Sequence, residues 1–185
     1  MSTVSAPATS TTTWNIDSVH SSAQFKVKHM MISNVKGEFT TITGNLKYDG
    51  DNIANSYVEA SIDATTITTR DPQRDAHLKS PDFFDVEKFP TLTFKSTRIS
   101  KKVDGELAVA GDLTVHGVTR PVVFEVEGPS APTKDPWGNT RLGLSASTRI
   151  NRKDFGLTWN STLETGGILV GDEVTISLDV QFIKA

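Results

Sequence analysis

Apolar and polar residues alternate with period two along most of the chain. The clearest run lies near the C-terminus, where Val174, Ile176, Leu178, Val180 and Phe182 alternate with Thr175, Ser177, Asp179 and Gln181. Successive side chains of a strand point to opposite faces, so this run predicts a strand with one dry and one wet face. The pattern recurs at Val122, Phe124 and Val126, at Leu107, Val109, Leu113 and Val115, at Leu142, Leu144 and Ala146, and at Val58, Ala60 and Ile62. Phe25 and Val27, set among Gln24, Lys26 and Lys28, predict an early strand.

One run changes phase. Val35 and Phe39 occupy odd positions, whereas Ile42, Leu46 and Tyr48 occupy even ones. A parity switch inside one long strand is the signature of a β-bulge, and bulges bend sheets into barrels. Turn signals separate the runs at Asp49-Gly50, Asp104-Gly105, His116-Gly117, Gly166-Gly167 and Gly171-Asp172. Together these predict an all-β fold of about eight antiparallel strands at hairpin spacing, either an up-and-down barrel or a sandwich.

The segment from Arg70 to Pro90 breaks the pattern. Pro72 suits a first helical position and Pro81 forces an end, which predicts a short helix around Gln73–Ser80. Phe83, Phe84 and Phe89 follow it on an irregular connection. Three large rings there need burial, either at a barrel mouth or in a satellite core patch beneath the loop.

Composition narrows the class. With 185 residues the chain is one domain of ordinary size, expected to bury roughly 70% of its unfolded surface. The absence of cysteine excludes disulfides, thiolate zinc sites, iron–sulfur clusters and cysteine nucleophiles. Nineteen basic against 22 acidic residues give a net charge of −3, and no basic run carries interleaved aromatics, so nucleic acid is not an expected partner. Residues 1–13 read as a disordered Ser/Thr-rich tail ahead of a single domain at 14–185. The start has neither a cationic region nor an apolar stretch, and no window is apolar enough for a membrane helix, so the expected location is the cytoplasm.

Candidate chemistry is sparse. The four histidines, His20, His29, His77 and His116, form no close metal-ligand spacing. His116 reads as a solvated hairpin-tip residue, His77 as an exposed helix residue, and His20 and His29 flank the first strand. There is no G-x-S-x-G elbow, phosphate-binding glycine loop or nucleotide fingerprint. Carboxylate pairs at Asp82/Asp85 and Asp172/Glu173 fall in loop-like sequence that capping explains. No catalytic residue, metal ligand or cofactor is expected. An interior built from Ala60, Val109, Val115, Val122 and Ala146, with Phe25, Phe39, Phe94, Phe124 and Trp159 as large rings, permits a cavity for one ligand.

Several pieces carry a resemblance. WNIDSVHSSAQFKVKHMMISNVKGEF (Trp14–Phe39), RDAHLKSPDFFDVEKFPTLTFKST (Arg74–Thr97), LTVHGVTRPV (Leu113–Val122), INRKDFGLTWN (Ile150–Asn160) and GGILVGDEVTISLDVQF (Gly166–Phe182) resemble, in consistent order, the YceI-like family of bacterial lipid-binding proteins. The resemblance implies a lipocalin-like extended antiparallel β-barrel with a helix set against it, enclosing an apolar tunnel for a polyisoprenoid, an isoprenoid quinone or a fatty-acid-type amphiphile. The partner implied is therefore a long-chain apolar small molecule, and the family includes homodimers. Many members carry a secretory leader and work in the periplasm; this sequence departs there, beginning instead with a Ser/Thr tail.

The expected ligand-binding side chains are Phe25, Val27, Phe39, Ile62, Phe83, Phe84, Phe89, Phe94, Leu113, Val115, Val122, Phe124, Leu142, Leu144, Leu157 and Trp159. His20 and Asn160, with Arg149 and Arg152, are candidates for the head group, each with a structural role as the competing account. The functional readings are a non-catalytic polyisoprenoid carrier, a fatty acid or fatty amide barrel, an interaction protein filled by its own side chains, and an enzyme using His20 or His29 on an isoprenoid lipid.

Overall fold

The computed structural model describes residues 10–185. In chain order come β1 (Thr12–Ile16), β2 (Ser22–His29), β3 (Ser33–Phe39), β4 (Ile42–Tyr48), β5 (Tyr57–Asp63), β6 (Ile67–Thr68) and α1 (Pro72–Lys79). They are followed by β7 (Thr91–Lys101), β8 (Leu107–Val115), β9 (Val118–Glu127), β10 (Thr133–Lys134), β11 (Thr140–Asn151) and β12 (Val170–Lys184). The first nine residues of the expected tail lie outside the described residues, and its last two, Thr12 and Thr13, already pair with β4.

The hydrogen-bonded order β11-β9-β8-β7-β5-β4-β1-β12 returns to β11, so these strands close an antiparallel barrel and leave no open edge in the ring. Strands β2, β3 and β6 extend from β12, and β10 borders β11. The length of β12 makes this possible. Near its C-terminus it pairs with β1 (Ile16↔Phe182), and towards its N-terminus it pairs with β2 (Phe25↔Ile176, His29↔Val170). On its other side β11 accompanies it from Asn151↔Glu173 to Arg141↔Ile183.

The phase change between Phe39 and Ile42 is therefore not a bulge within one strand. The chain leaves β3, which pairs with β2, and at Thr40-Thr41 passes into β4, which pairs with β1 and β5. The switch in parity keeps Phe39, Ile42 and Leu46 all buried. β1/β2 and β5/β6 are interrupted likewise, by 3-10 turns at Ser18–His20 and Ala64–Thr66. Register shifts of the bulge type occur instead in β7 between Ser96 and Arg98 and in β12 between Val170 and Val174. The second of these contains Gly171-Asp172, so that dipeptide bends a strand and does not end one.

Beyond β6 the wall is completed by α1 and the segment after it. Asp71 caps the helix, its carboxylate accepting from the N–H groups of Gln73 and Arg74 at 3.0 and 3.2 Å, and Pro72 opens the first turn as expected. Leu78, Phe84 and Val86 then pack on Phe39, Ala64 and Ile67, and the Ala64 N–H donates to the Pro90 carbonyl at 2.9 Å. Two glycines let interior rings lie flat on the wall: a Cβ on Gly37 would overlap the Phe25 ring, and one on Gly111 the Phe94 ring. The fully buried Phe155, Phe182 and Ile42 each contribute about 1.5–3 kcal/mol by burial.

Candidate functional site

Inside the barrel lies an elongated cavity of about 350 Å³. The alternation of β12 places Val174, Ile176, Leu178, Val180 and Phe182 on it in succession, and Val170 touches its other end. That stretch is a dozen steps of about 3.3 Å, or about 40 Å of strand. The cavity is thus long and narrow. A cavity of this volume does not match an interior filled by its own side chains, one of the sequence readings.

Aromatic rings stagger along the wall. Phe25 meets Phe39 at 5.9 Å between centroids, Phe39 meets Phe84 edge-on at 5.6 Å, and Phe94 meets Phe124 edge-on at 5.1 Å. Such tilted and edge-on pairs are the favoured aromatic geometries. The Phe182 end is stopped by a packed floor in which Trp14, Leu46, Leu142, Val180 and Phe182 are all buried against one another.

The expected site residues divide between wall and surroundings. Phe25, Val27, Phe39, Ile62, Phe83 and Phe84 line the cavity, as do Phe94, Leu113, Val115, Phe124, Leu144, Leu157 and Trp159. Five lie elsewhere. Leu142 belongs to the floor, and Val122 faces inward but packs into the side-chain clusters around Phe124 and Leu113. Phe89 lies over the β8–β9 turn, its ring 4.8 Å from that of His116, which is half-buried rather than solvated. His20 turns to Asp17, with Nδ1 2.7 Å from the carboxylate, at the level of the break between β1 and β2. Asn160 gives its amide to the backbone: Nδ2 donates to the Val170 carbonyl at 2.8 Å, while Oδ1 accepts from the N–H groups of Ser161, Leu169 and Val170 at 2.9, 3.1 and 3.1 Å. It clamps a loop: Oδ1 is fully taken up by backbone N–H groups, and Nδ2 is engaged once.

Wall residues that sequence reasoning left out include Ile176 and Leu178, Ile99 and Leu107, and Val35. The first pair was within reach, because it shares parity with Val174 and Phe182 on one strand. Tyr48 was within reach too, sharing parity with Ile42 and Leu46, whereas Arg74 had no local signal.

Beside the neutral Gln24, Tyr48, Ser56 and Thr93, the ionisable side chains of the lining are one-sided. Lys28, His29, Arg74, His77 and Arg152 touch the cavity, and no Asp or Glu among the described residues does. Arg74 is oriented by Thr69, donating Nε to Oγ1 and Nη2 to the carbonyl, both at 2.8 Å. His77 is half-buried in the helix, with Nε2 2.8 Å from Asp82 and its ring edge-on to Trp159 at 4.7 Å. Arg152 is 3% exposed and donates to the carbonyls of Gly171 (2.8 Å) and Leu157 (2.6 Å). Burial draws its pKa below the ordinary arginine value. Of His20 and His29, each weighed as an acid–base residue, His20 lies in the turn before β2 and off the cavity, whereas His29 ends β2 and touches the cavity. Among the described residues no group of three or more His, Asp or Glu is placed to hold a metal ion, and no helix is long and apolar enough to cross a membrane.

The YceI-like domain family matches residues 14–182. The chain belongs to the YceI-like family. A UPF0312 protein of Vibrio cholerae is 44% identical over 138 residues, covering 75% of this chain and 72% of the relative. A UPF0312 protein of Staphylococcus aureus is 34% identical over 172 residues, covering 92% and 97%. Among solved structures, the YceI protein of Campylobacter jejuni superposes with a TM-score of 0.70 at 28% identity, over 85% of this chain and 90% of that one. Burkholderia cenocepacia BcnA (TM-score 0.75, 22% identity, 90% and 98% covered) shares the fold. So does a polyisoprenoid binding domain from Saccharophagus degradans (TM-score 0.68, 14% identity, 93% and 98% covered). The lipocalin-like extended barrel expected from the sequence is thus the fold observed.

Proposed function

We propose that this chain holds a polyisoprenoid or isoprenoid-quinone-type lipid in its barrel and serves as a carrier or store rather than as an enzyme. The observation that carries the reading is the cavity itself, long, narrow and lined by aliphatic and aromatic side chains with no carboxylate. A polyisoprenoid binding domain of the same fold adds support. Each buried CH₂ stabilises a complex by about 0.8 kcal/mol, so one prenyl unit gains a few kcal/mol gross. Two or three units offset much of an association cost of roughly 4–15 kcal/mol. The basic lining around His29, Arg74 and His77 suits a head group that presents hydrogen-bond acceptors, as a quinone carbonyl does.

Native mass spectrometry of the purified chain, with solvent extraction of whatever it carries, tests the proposal. A prenyl lipid should come off, and an added prenyl quinone should bind at micromolar concentration; failure of both would remove the carrier reading. Competition with a long-chain fatty amide decides between chain types, equal binding meaning that the isoprenoid is not privileged. A block provides the internal control. Ala146 lines the cavity and is 8% exposed, and Ala146→Phe should weaken binding at least about tenfold at an overpacking cost of about 1–3 kcal/mol in stability. Unchanged binding in a folded Ala146→Phe chain would place the ligand outside the barrel.

A further inference from the structure

The turn joining β2 to β3 combines features that neither the fold nor the cavity requires. The His29 carbonyl accepts from the Ile32 N–H at 3.1 Å, and the two central residues, Met30 and Met31, have φ of 53° and 59°. Hairpins of this kind favour Asn-Gly or Gly-containing pairs, which adopt positive φ easily. Two methionines there hold backbone strain. They are also exposed: Met30 by 39%, Met31 by 58% and the adjoining Ile32 by 79%. The Met30 N–H donates to the Leu169 carbonyl at 2.8 Å, which sets a second loop alongside, with Ile168 37% exposed. Four large apolar side chains from two loops therefore stand together at one end of the barrel.

The surroundings indicate what covers them. Lys26, Lys28 and Lys36 are exposed on the two strands that lead to the tip, and Lys26 stands directly opposite Lys36 in the ladder. Like charges in that position destabilise a sheet, yet among the described residues none of the three lysines has a carboxylate at ion-pair distance. Glu164 on the adjacent loop and Glu38 further down β3 are the acids on these elements, and on neighbouring β12 Glu173 and Asp172 face Arg149 and Lys153 at 3.8 and 3.4 Å. An apolar tip above a collar of unpaired lysines matches the profile of an anionic bilayer, with acyl chains beneath a negatively charged surface. A patch of four side chains, three on the hairpin tip and one on the second loop, is also small beside the about 800 Å² per partner that a specific protein interface buries. The cavity lining reaches Lys28, His29 and Leu169, the residues that flank this tip.

We propose that the Met30–Ile32 tip and Ile168 dock this end of the barrel onto an anionic lipid bilayer, with Lys26, Lys28 and Lys36 against the headgroups. An apolar guest then enters or leaves the cavity next to acyl chains instead of through water. The docking surface stands on its own residues, whatever the cavity holds.

Flotation of the full chain with phosphatidylcholine vesicles, with and without phosphatidylglycerol, tests this. The chain should float with the phosphatidylglycerol vesicles, less so in high salt. The Met31→Asp/Ile32→Asp chain should partition at least about tenfold less, and Lys26→Glu/Lys36→Glu should lose the preference for phosphatidylglycerol. Met30→Asn/Met31→Gly guards against simple misfolding: it places favoured turn residues at the strained positions, so it should raise Tm while reducing flotation. A wild-type chain that floats with neither vesicle overturns the proposal, as does flotation that the tip variants leave unchanged. A tip-dependent dimer in native mass spectrometry without flotation overturns it too, in favour of a second copy as the occupant. Uptake of prenyl quinone, measured without vesicles, reads the cavity separately and should be unaffected by these substitutions.

Discussion

An arginine secures each end of the barrel, and the two are used in opposite ways. At the Phe182 end, Arg141 sits between two carboxylates, donating from Nη1 to Asp17 and from Nε to Asp135, each at 2.6 Å. At the Val170 end, Arg152 lies buried and addresses backbone carbonyls, with its nearest carboxylate, Asp172, 3.9 Å away. The carboxylates raise the pKa of Arg141 while burial lowers that of Arg152. The contrast follows from what each end encloses. Below Arg141, Trp14, Leu46, Leu142 and Phe182 are buried against one another, so an ionic clasp at the rim only adds to a core that already holds. Beside Arg152 the strand β12 is irregular between Val170 and Val174 and the cavity occupies the interior, so backbone groups that lack sheet partners are tied by a side chain.

Removing Arg152 breaks this comparison most severely. Arg152→Ala strands buried carbonyls at Leu157 and Gly171 and leaves a hole, which should destabilise the fold by about 3–5 kcal/mol in urea unfolding. Arg152→Lys should recover only part of that, because an ammonium lacks the planar fork that reaches separate acceptors. Retention of wild-type stability by Arg152→Ala would mean that packing alone holds the Val170 end.

Leu142→Ala probes the other end. Leu142 is 2% exposed within the floor, and its truncation should cost about 2–5 kcal/mol with a cavity left behind. Its effect on ligand retention should be the reverse of that of Arg152→Ala. The floor variant deepens the cavity and should keep its guest, whereas the arginine variant loosens the wall beside His29 and should release it faster. Comparing the two chains at equal stability, by native mass spectrometry, sharpens the assignment; faster release from Leu142→Ala would place the closed end wrongly.

How far the molecule could be read from its sequence follows the same divide. The regular wall was legible, because alternation at Val174–Phe182 and at Leu107–Val115 fixes which side chains face inward. The helix was legible too, because Pro72 and Pro81 act locally. What escaped depends on partners distant in sequence. Nothing near Asn160 announces that its amide is taken up by Val170, and Leu142 shares its parity with Leu144, although only Leu144 reaches the cavity. Phe89 looks like its neighbours Phe83 and Phe84 but covers Gly117 instead. The Thr40-Thr41 corner imitates a bulge, since both reverse parity. The Met30-Met31 turn escaped because it lacks the glycine or asparagine by which such turns are recognised.

The smallest effect expected is that of the clasp, and it is specific to acid. Neighbouring Arg141, with His20 also bonded to Asp17, holds the carboxyls of Asp17 and Asp135 down to about 2, against an ordinary 3.8. A carboxyl with a depressed folded pKa binds fewer protons in the folded state than in the unfolded one as pH falls from about 4 to about 2. Its stabilisation is therefore complete above pH 4, and it is lost as pH falls through the folded value near 2. Arg141→Gln returns both pKa values towards normal, so its Tm should fall less steeply than wild type across that acid window. At pH 7 the variant should be less stable than wild type by the same amount that wild type loses in excess between pH 4 and 2, an amount kept small because partly solvated ion pairs are weak and salt screens them. Parallel Tm profiles for the two chains between pH 4 and 2 would show that Arg141 does not set these carboxyls. The two ends would then be held alike, by packing and backbone contacts, and the ionic character of the Phe182 rim would be incidental.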